Sequence, residues 1–349
     1  MGFGGIIGQD RAASLLRQAL RADRLAHAYL FVGPGGVGKR RVALALAQAA
    51  NCLCPLPDGD ACGSCAACRK VAAGVHPDVL LLTPEEGTLR IEQVRTLREE
   101  VTRRPYEGRR RFALLDPAEA LTEQAQNALL KTLEEPAGAT TFILLAQRTG
   151  ALLPTVVSRC QRLTFGPVPE ALLARHLVAA GVPSDRARAL AALARGSVGE
   201  ALALAGGAAL ESRDALLARF FQALERGPAA CVEMAEEIAR HREGLGEALD
   251  LLLPWCRDLL VTAVLGHPGL AVNRDRADAL AAAAGRFRVE ALAGAVAAVA
   301  AARAALETNA NPRLTCEALL FRLRDLLIPA SGGNGDAARR EGELRRPGA

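Results

Sequence analysis

Short apolar runs alternate with amphipathic stretches in the first half of the chain. Four short apolar runs are typical of buried strands: residues 28–32, 79–82, 112–115 and 142–145. Three stretches with helical spacing of apolar residues lie between them: residues 40–50, 91–103 and 123–134. Strands that alternate with helices indicate a parallel sheet with helices on both faces. The pattern therefore predicts an α/β domain over residues 1–166, which ends before Pro167 and Pro169.

The second half of the chain shows helical spacing and no strand pattern from Glu170 onward. Residues 167–207 predict a small helical unit that closes at a pair of glycines, and residues 208–329 predict a larger helical bundle. The last stretch, 330–349, is rich in glycine and charge, so we expect a disordered tail there.

Composition adds little about partners. The formal net charge is +5, from 43 basic and 38 acidic residues, which is too mild to indicate nucleic-acid binding by itself. The N-terminus lacks the pattern of a signal peptide. The longest uncharged alanine-rich run, 291–302, is shorter than the roughly 20 residues that span a bilayer. We therefore expect a cytoplasmic protein.

A glycine-rich loop, GPGGVGK, follows the first predicted strand and precedes the first predicted helix of the α/β pattern. Backbone N–H groups of such a loop surround phosphate oxygens, and the helix N-terminus adds partial positive charge. The nucleotide-binding residues predicted from this spacing are Gly33, Gly35, Gly36, Gly38 and Lys39. The alternative is a glycine-rich turn that binds no ligand.

The catalytic parts of this site are degenerate. Arg40 stands where a Ser or Thr hydroxyl normally binds Mg²⁺, and a guanidinium has no acceptor for a metal. Asp116 ends a later predicted strand, but its neighbour is Pro117 where a catalytic glutamate is expected. Glu119 lies three residues from Asp116 and is a weak substitute. The residues predict a site that does not hydrolyse nucleotide.

A compact cysteine cluster, Cys62-x2-Cys65-x2-Cys68, has the spacing of a tetrahedral metal site. Either Cys52 or Cys54 can supply the fourth thiolate, which gives a zinc module over residues 52–68. A site of four thiolates is closed, so its role is structural. The alternative is a set of reduced, unligated thiols. Three isolated cysteines are expected to be ordinary core residues: Cys231, Cys256 and Cys316.

Basic residues cluster around the sequence PYEG: Arg103, Arg104, Arg109, Arg110 and Arg111. Such a cluster could meet a phosphate backbone, and a solvated turn explains it equally well.

Four motifs occur in order along the chain: RLAHAYLFVGPGGVGK, the cysteine cluster, ALTEQAQNALLKTLEEP and LLPTVVSRCQRLTF. Together they resemble the bacterial DNA polymerase III clamp-loader subunits, which are AAA+ proteins. The resemblance is specific over residues 5–205 and only topological beyond. It implies an α/β AAA+ P-loop domain with a parallel sheet and an inserted zinc module of four cysteines, then an all-α lid and an all-α collar domain. It also implies that Ile6–Asp10 contact adenine and that Cys52 is the fourth zinc ligand.

The family contains an ATP-hydrolysing subunit, gamma/tau, and a related subunit without that activity. Gamma/tau has Gly-Lys-Thr in its loop and Asp-Glu after its strand, where this chain has Arg40 and Pro117. Gly199 replaces the lid arginine that senses the γ-phosphate. The departures favour the non-hydrolysing kind, within a DNA polymerase holoenzyme. The resemblance leaves ATP or ADP binding open and predicts no hydrolysis.

The Ser158-Arg159-Cys160 motif is intact, and the resemblance implies that Arg159 acts on a neighbouring subunit's ATP as an arginine finger. The implied partners are gamma/tau and delta in a hetero-oligomeric ring, the sliding clamp and primed DNA. Two alternatives stay open: an active gamma-type ATPase that uses Lys39, Asp116 and Glu119, and a stand-alone zinc-stabilised binding module.

Overall fold

The computed structural model describes residues 2–85, 87–134, 138–206, 209–240, 244–308 and 310–328. The chain divides into two compact units, Met1–Ala205 and Gly206–Ala349. The predicted tail, residues 330–349, lies outside the described residues.

The first unit contains one parallel sheet. Its strands are β1 (Ala28–Val32), β2 (Val79–Leu82), β3 (Arg111–Leu115), β4 (Thr140–Ala146) and β5 (Gln161–Thr164). Their order across the sheet is β2-β3-β4-β1-β5, and all pairs are parallel. The predicted α/β architecture is confirmed. The apolar runs indicated four of the strands but not β5, because only Leu163 of this edge strand is buried.

Six helices accompany the sheet: α1 (Asp10–Arg21), α2 (Lys39–Ala50), α3 (Ala66–Ala72), α4 (Ile91–Val101), α5 (Glu123–Glu134) and α6 (Pro154–Val157). Alternate residues of β1 enter two separate cores. Tyr29 and Phe31 pack with α1, α2 and α3, whereas Leu30 packs with α4, α5 and α6. The central strands are therefore buried on both faces, which explains their unbroken apolar runs.

The remaining helices of the first unit are α7 (Glu170–Ala179), α8 (Ser184–Leu193) and α9 (Val198–Ala205), which pack together. The second unit is helical throughout its described residues, with α10 (Ala209–Arg226), α11 (Pro228–Ala239), α12 (Gly244–Leu265), α13 (Ala277–Ala284), α14 (Val289–Glu307) and α15 (Pro312–Leu327). Its core buries the three isolated cysteines, Cys231, Cys256 and Cys316. The predicted helical C-terminal region is confirmed.

Within the described residues, one segment, Val289–Leu306, is long and apolar enough by composition to cross a membrane. It extends beyond the uncharged run 291–302 because the helix also includes Glu290 and Arg303. Core helices of soluble proteins pass the same test.

A buried carboxylate fixes the loop between α4 and β3. Asp78 accepts hydrogen bonds from the backbone N–H groups of Tyr106 (2.7 Å), Glu107 (2.9 Å) and Gly108 (2.7 Å). It also pairs with the buried guanidinium of Arg111 at 2.8 Å. Burial raises the pKa of Asp78, but these donors outweigh burial and lower the pKa to about 2. The ionised carboxylate of Asp78 therefore holds three consecutive backbone N–H groups of this loop.

We expect Asp78→Ala to lower the free energy of unfolding by about 3–5 kcal/mol at pH 7, because buried Arg111 loses its carboxylate. Urea denaturation followed by circular dichroism measures this loss. The difference from wild type should shrink as pH falls from about 4 through about 2, where Asp78 becomes protonated. Asp58→Ala, which removes an exposed pair with Arg17, is the matched control and should change little. Equal stabilities of Asp78→Ala and wild type would contradict this assignment.

Candidate functional site

A cavity of about 600 Å³ lies beside the loop that joins β1 to α2. Loop and helix residues on one side of it are Gly35, Gly36, Gly38, Lys39, Arg40, Arg41 and Leu44. The other lining residues are Asp116, Pro117, Leu145, Ala146, Gln147, Val198, Gly199 and Leu202. The fold thus brings together most of the predicted loop residues, the predicted acidic residue and the lid position in one cavity.

Gly33 has a packing role. A Cβ built on Gly33 would lie 2.2 Å from the carbonyl oxygen of Phe165, so any larger residue would collide with that backbone. Gly33 is absent from the lining of the cavity. Gly36 has a φ of +69°, and a Cβ there would lie 2.0 Å from the hydroxyl of Ser197. Both glycines are therefore required by the fold itself.

The Lys39 ammonium is bound by its own loop. Its Nζ donates to the carbonyl oxygens of Gly33 (2.5 Å) and Pro34 (2.7 Å), and the residue is 9% exposed. Burial lowers the pKa of Lys39, and the nearby charges of Glu119 and Asp116 oppose this shift. The side chain predicted to reach the outer phosphates is hydrogen-bonded to backbone carbonyls in this structure.

Arg40 and Asp116 form an ion pair, with the Arg40 Nε against an Asp116 carboxylate oxygen. Asp116 follows β3 directly, at the carboxyl end of the sheet, where a P-loop site uses an acidic residue to hold Mg²⁺. The carboxylate faces a permanent cation instead. These residues do not fit a magnesium ion at this position.

Glu119, the weak substitute for the catalytic glutamate, contacts backbone through one oxygen, and its Oε2 is buried without a hydrogen-bond partner among the described residues. One oxygen of its carboxylate accepts hydrogen bonds from the backbone N–H groups of Gln147 and, at 3.0 Å, Arg148. Glu119 therefore caps the segment that follows β4. Pro117, next to Asp116, offers no acid. The cavity holds no carboxylate in the position that the family motif gives to its catalytic glutamate.

The helical unit α7–α9, which corresponds to the lid that the resemblance implies, contacts the loop directly. The backbone N–H of Gly199 donates to the carbonyl oxygen of Gly36 at 3.0 Å, and a Cβ on Gly199 would lie 3.5 Å from the Cα of Gly36. The position that carries an arginine in ATP-hydrolysing relatives therefore contacts the loop backbone here. This contact uses a carbonyl of the loop, and a Cβ at position 199 would lie in ordinary van der Waals contact with the loop backbone.

Gln9, in the segment predicted to contact adenine, is buried against the loop. Its Nε2 donates to the carbonyl oxygens of Val37 (3.3 Å) and Gly166 (2.7 Å). The segment therefore ties the loop to the end of the α/β domain, whatever ligand it contacts.

The structure brings four thiols together: Cys52, Cys62, Cys65 and Cys68, all within 4.8 Å of one another. Three sulfur pairs are 3.6, 3.9 and 3.9 Å apart. A tetrahedral Zn²⁺ with sulfur ligands at about 2.3 Å requires sulfur pairs about 3.8 Å apart. The arrangement is therefore compatible with a structural zinc ion. Cys54 is exposed and lies outside this group.

Hydrogen bonds to sulfur support thiolate character. The backbone N–H groups of Ser64 and Cys65 lower the pKa of Cys62 to about 6. The N–H of Cys62 donates to the sulfur of Cys52, and that of Cys65 donates to the sulfur of Cys62, both at 3.3 Å. Such backbone donors favour the charged form that a metal binds, whereas burial raises the pKa of Cys52 and of Cys68.

The cysteine module is attached to the rest of the unit by polar contacts. Asp60, in the loop before Cys62, accepts hydrogen bonds from the N–H groups of Phe3 (2.9 Å) and Gly4 (3.0 Å). Gln48 of α2 donates to the carbonyl oxygen of Cys68 at 2.8 Å. The module therefore connects the N-terminal segment to the helix that begins at the glycine loop.

Arg159 lies between α6 and β5, and it does not line the cavity of its own loop. Its guanidinium donates to a carboxylate oxygen of Glu134 and to the carbonyl oxygen of Thr155. The side chain remains 33% exposed. Cys160 next to it is partly buried, and burial raises the pKa of that thiol to about 12.

Sequence reasoning missed Gln126 on α5. Its buried amide donates to the carbonyl oxygens of Leu121 (3.2 Å) and Ala151 (3.1 Å) and accepts from the N–H of Leu153 at 2.7 Å. These bonds fix the segment that leads into α6 and Arg159. The sequence did contain a signal for this role, because Gln126 is a polar residue on the apolar face of a predicted helix.

The arginines of the basic cluster around PYEG differ in exposure. Arg111 is buried against Asp78, so it is not available to a phosphate backbone. Arg103, Arg104 and Arg109 are exposed. Arg110 is half-buried and lies 3.6 Å from the carboxylate of Asp23.

The parallel sheet, the glycine loop before α2, the lid helices and the four-cysteine insertion define a P-loop α/β protein of the AAA+ class. Two family descriptions match the sequence: "DNA polymerase III, delta subunit" over residues 8–169, and its C-terminal domain over residues 208–325. Together with a delta-prime relative that is 30% identical over 91% of this chain, these matches show that the chain belongs to the family of DNA polymerase III delta-prime subunits.

Individual relatives agree with this membership. The delta-prime subunit of Bacillus subtilis is 30% identical over 91% of this chain and 96% of its own length. That of Pseudomonas aeruginosa is 44% identical, and the alignment spans 54% of this chain and 55% of the relative. The gamma/tau subunit of Mycoplasma pneumoniae is 33% identical over 58% of this chain and 30% of its own length.

We expect the purified chain to contain one equivalent of zinc. Cys52→Ser should lose it and lower the melting temperature by roughly 5 °C or more, because metal binding at such sites stabilises the fold. Cys54→Ser is the matched control and should keep both the zinc and the melting temperature. Elemental analysis and calorimetry measure the two properties. Equal zinc content in the two serine variants would contradict the assignment of Cys52.

Proposed function

We propose that this chain is a non-hydrolysing subunit of the DNA polymerase III clamp loader. In this role it completes a ring with gamma/tau and delta subunits and supplies an arginine finger to a neighbouring ATPase. The ring then loads the sliding clamp on primed DNA in the cytoplasm. The zinc module is proposed to be structural. The Arg40–Asp116 ion pair is the observation that carries the non-hydrolysing part of this proposal.

The ion pair supports the loss of hydrolysis on electrostatic grounds. In active P-loop sites Mg²⁺ is held by a loop hydroxyl and an acidic side chain, and it neutralises charge on the phosphates. Here the guanidinium of Arg40 pairs with Asp116. A permanent cation beside the carboxylate repels a metal ion and also uses the oxygen that would bind it.

Two further features support the same conclusion. Glu119 is held by two backbone N–H groups through one carboxylate oxygen, which fixes it against the segment after β4 and three residues from Asp116. Gly199 gives the loop a backbone hydrogen bond where a phosphate-sensing arginine is expected. Metal binding, water activation and phosphate sensing are therefore all weakened together, which disfavours a gamma-type ATPase.

We expect the isolated chain to show no steady-state ATP hydrolysis in the presence of Mg²⁺. Arg40→Thr should also be inactive although it frees Asp116, because Pro117 still provides no base. Phosphate release from the purified proteins measures both rates. Turnover by the wild-type chain that Lys39→Ala abolishes would instead support the gamma-type ATPase.

The position of Arg159 supports its proposed role as an arginine finger for the ATP of a neighbouring subunit. It lies outside the cavity of its own loop and is partly exposed, so it is available to a ligand of another subunit. A planar guanidinium can donate two parallel hydrogen bonds to phosphoryl oxygens and stabilise the charge that develops there. The Ser158-Arg159-Cys160 motif therefore fits an arginine finger in trans.

We expect a clamp loader reconstituted with Arg159→Ala to assemble normally and to lose part of its ATPase stimulated by DNA and clamp. The loss should be partial, because only the active site that Arg159 faces loses a finger, although that site slows by about 10³-fold or more. Steady-state ATPase and analytical gel filtration measure the two properties. Arg188→Ala, which removes an exposed arginine paired with Asp185, is the matched control. An unchanged rate in Arg159→Ala complexes would overturn the finger assignment.

A further inference from the structure

The guanidinium of Arg159 is held on two sides by its own chain. Nε donates to Oε1 of Glu134 at 2.8 Å, and Nη2 donates to the same oxygen. On the other side, Nη1 donates to the carbonyl oxygen of Thr155 at 2.8 Å. The contacts come from two separate elements, since Glu134 ends α5 and Thr155 lies in α6.

We propose that Glu134 is a positioning residue for Arg159, an inference that rests on the proposed arginine-finger function. A guanidinium carries five N–H groups. Three are engaged, and the remaining two, one on each terminal nitrogen, have no acceptor among the residues that the structure describes. Two such N–H groups form the edge that can donate to phosphoryl oxygens. Glu134 and Thr155 therefore hold the guanidinium while they leave that edge available.

The location of Glu134 is unfavourable unless its charge has a partner. Glu134 is the last residue of α5, where the helix dipole presents partial negative charge. A carboxylate at this end is disfavoured, and pairing with a cation offsets that effect. Arg159 provides the cation. The pair therefore stabilises the charge of Glu134 and also holds the guanidinium of Arg159.

The same helix fixes the segment that carries Arg159. Gln126, two turns before Glu134, bonds to the carbonyl of Ala151 and the N–H of Leu153. These contacts hold the start of α6, and Glu134 holds the guanidinium itself. An arginine side chain has many rotamers, so these contacts reduce the entropy lost when it meets a phosphate.

The test uses the reconstituted clamp loader with its ATPase stimulated by DNA and clamp. The part of the rate that Arg159→Ala removes is the Arg159-dependent rate. We expect Glu134→Ala to lower this part by roughly three- to tenfold in kcat, with KM for ATP unchanged, because a misplaced finger weakens only the transition state. Glu134→Gln keeps an oxygen acceptor and should retain more of the rate than Glu134→Ala. Adding Glu134→Ala to Arg159→Ala should change nothing further.

Asp185→Ala, which removes the carboxylate of an exposed pair with Arg188, is the matched control, and all variants are compared at equal assembly. If Arg159→Ala lowers the rate but Glu134→Ala does not, Glu134 is not a positioning residue and the finger assignment stands. A faster rate in Glu134→Ala would mean that the carboxylate restrains the finger, which overturns the proposal. Equal rates in Glu134→Ala and Glu134→Gln would also overturn it. An unchanged rate in Arg159→Ala would remove the proposed function and this inference together.

Discussion

The carboxylate of Asp116 sits at the carboxyl end of β3, where a parallel sheet directs its functional side chains. This carboxylate can bind a metal ion or pair with a guanidinium. In this structure it pairs with the guanidinium of Arg40. Two donors beside it, Lys39 and Gly199, also bond within the chain. Lys39 donates to the carbonyls of its own loop, and Gly199 donates to the carbonyl of Gly36. Three loop carbonyls, those of Gly33, Pro34 and Gly36, therefore accept hydrogen bonds from within the chain.

The glycine pattern of the loop has a reason that does not depend on nucleotide. Gly33 is required because the backbone of Phe165 passes against it, and Gly36 is required because the lid residue Ser197 lies beside it. A phosphate-binding motif and a packing motif thus share the same residues. A chain that has lost the chemistry of the loop still needs Gly33 and Gly36 to fold, so the motif alone is poor evidence for hydrolysis.

Sequence reasoning predicted the strands whose residues are all buried. Strands buried on both faces give unbroken apolar runs, which is why β1 and β4 were predictable, whereas the exposed edge strand β5 was not. The cysteine spacing allowed either Cys52 or Cys54 as the fourth ligand, and only the resemblance and then the fold favoured Cys52. Contacts between distant segments left no local pattern. The role of Glu119 as a backbone cap and the Glu134–Arg159 pair both belong to this class.

The two arginines that matter for nucleotide chemistry differ in what surrounds them. Arg40 faces a carboxylate inside its own cavity, so its charge is used within the chain. Arg159 is also paired with a carboxylate, but its contacts with Glu134 and Thr155 leave two N–H groups without an acceptor among the described residues. The two ion pairs differ in position, because Arg40 lines the cavity of its own loop whereas Arg159 lies outside that cavity and is partly exposed. By this criterion a site can lose its own catalysis while the same domain keeps a group suited to catalysis elsewhere.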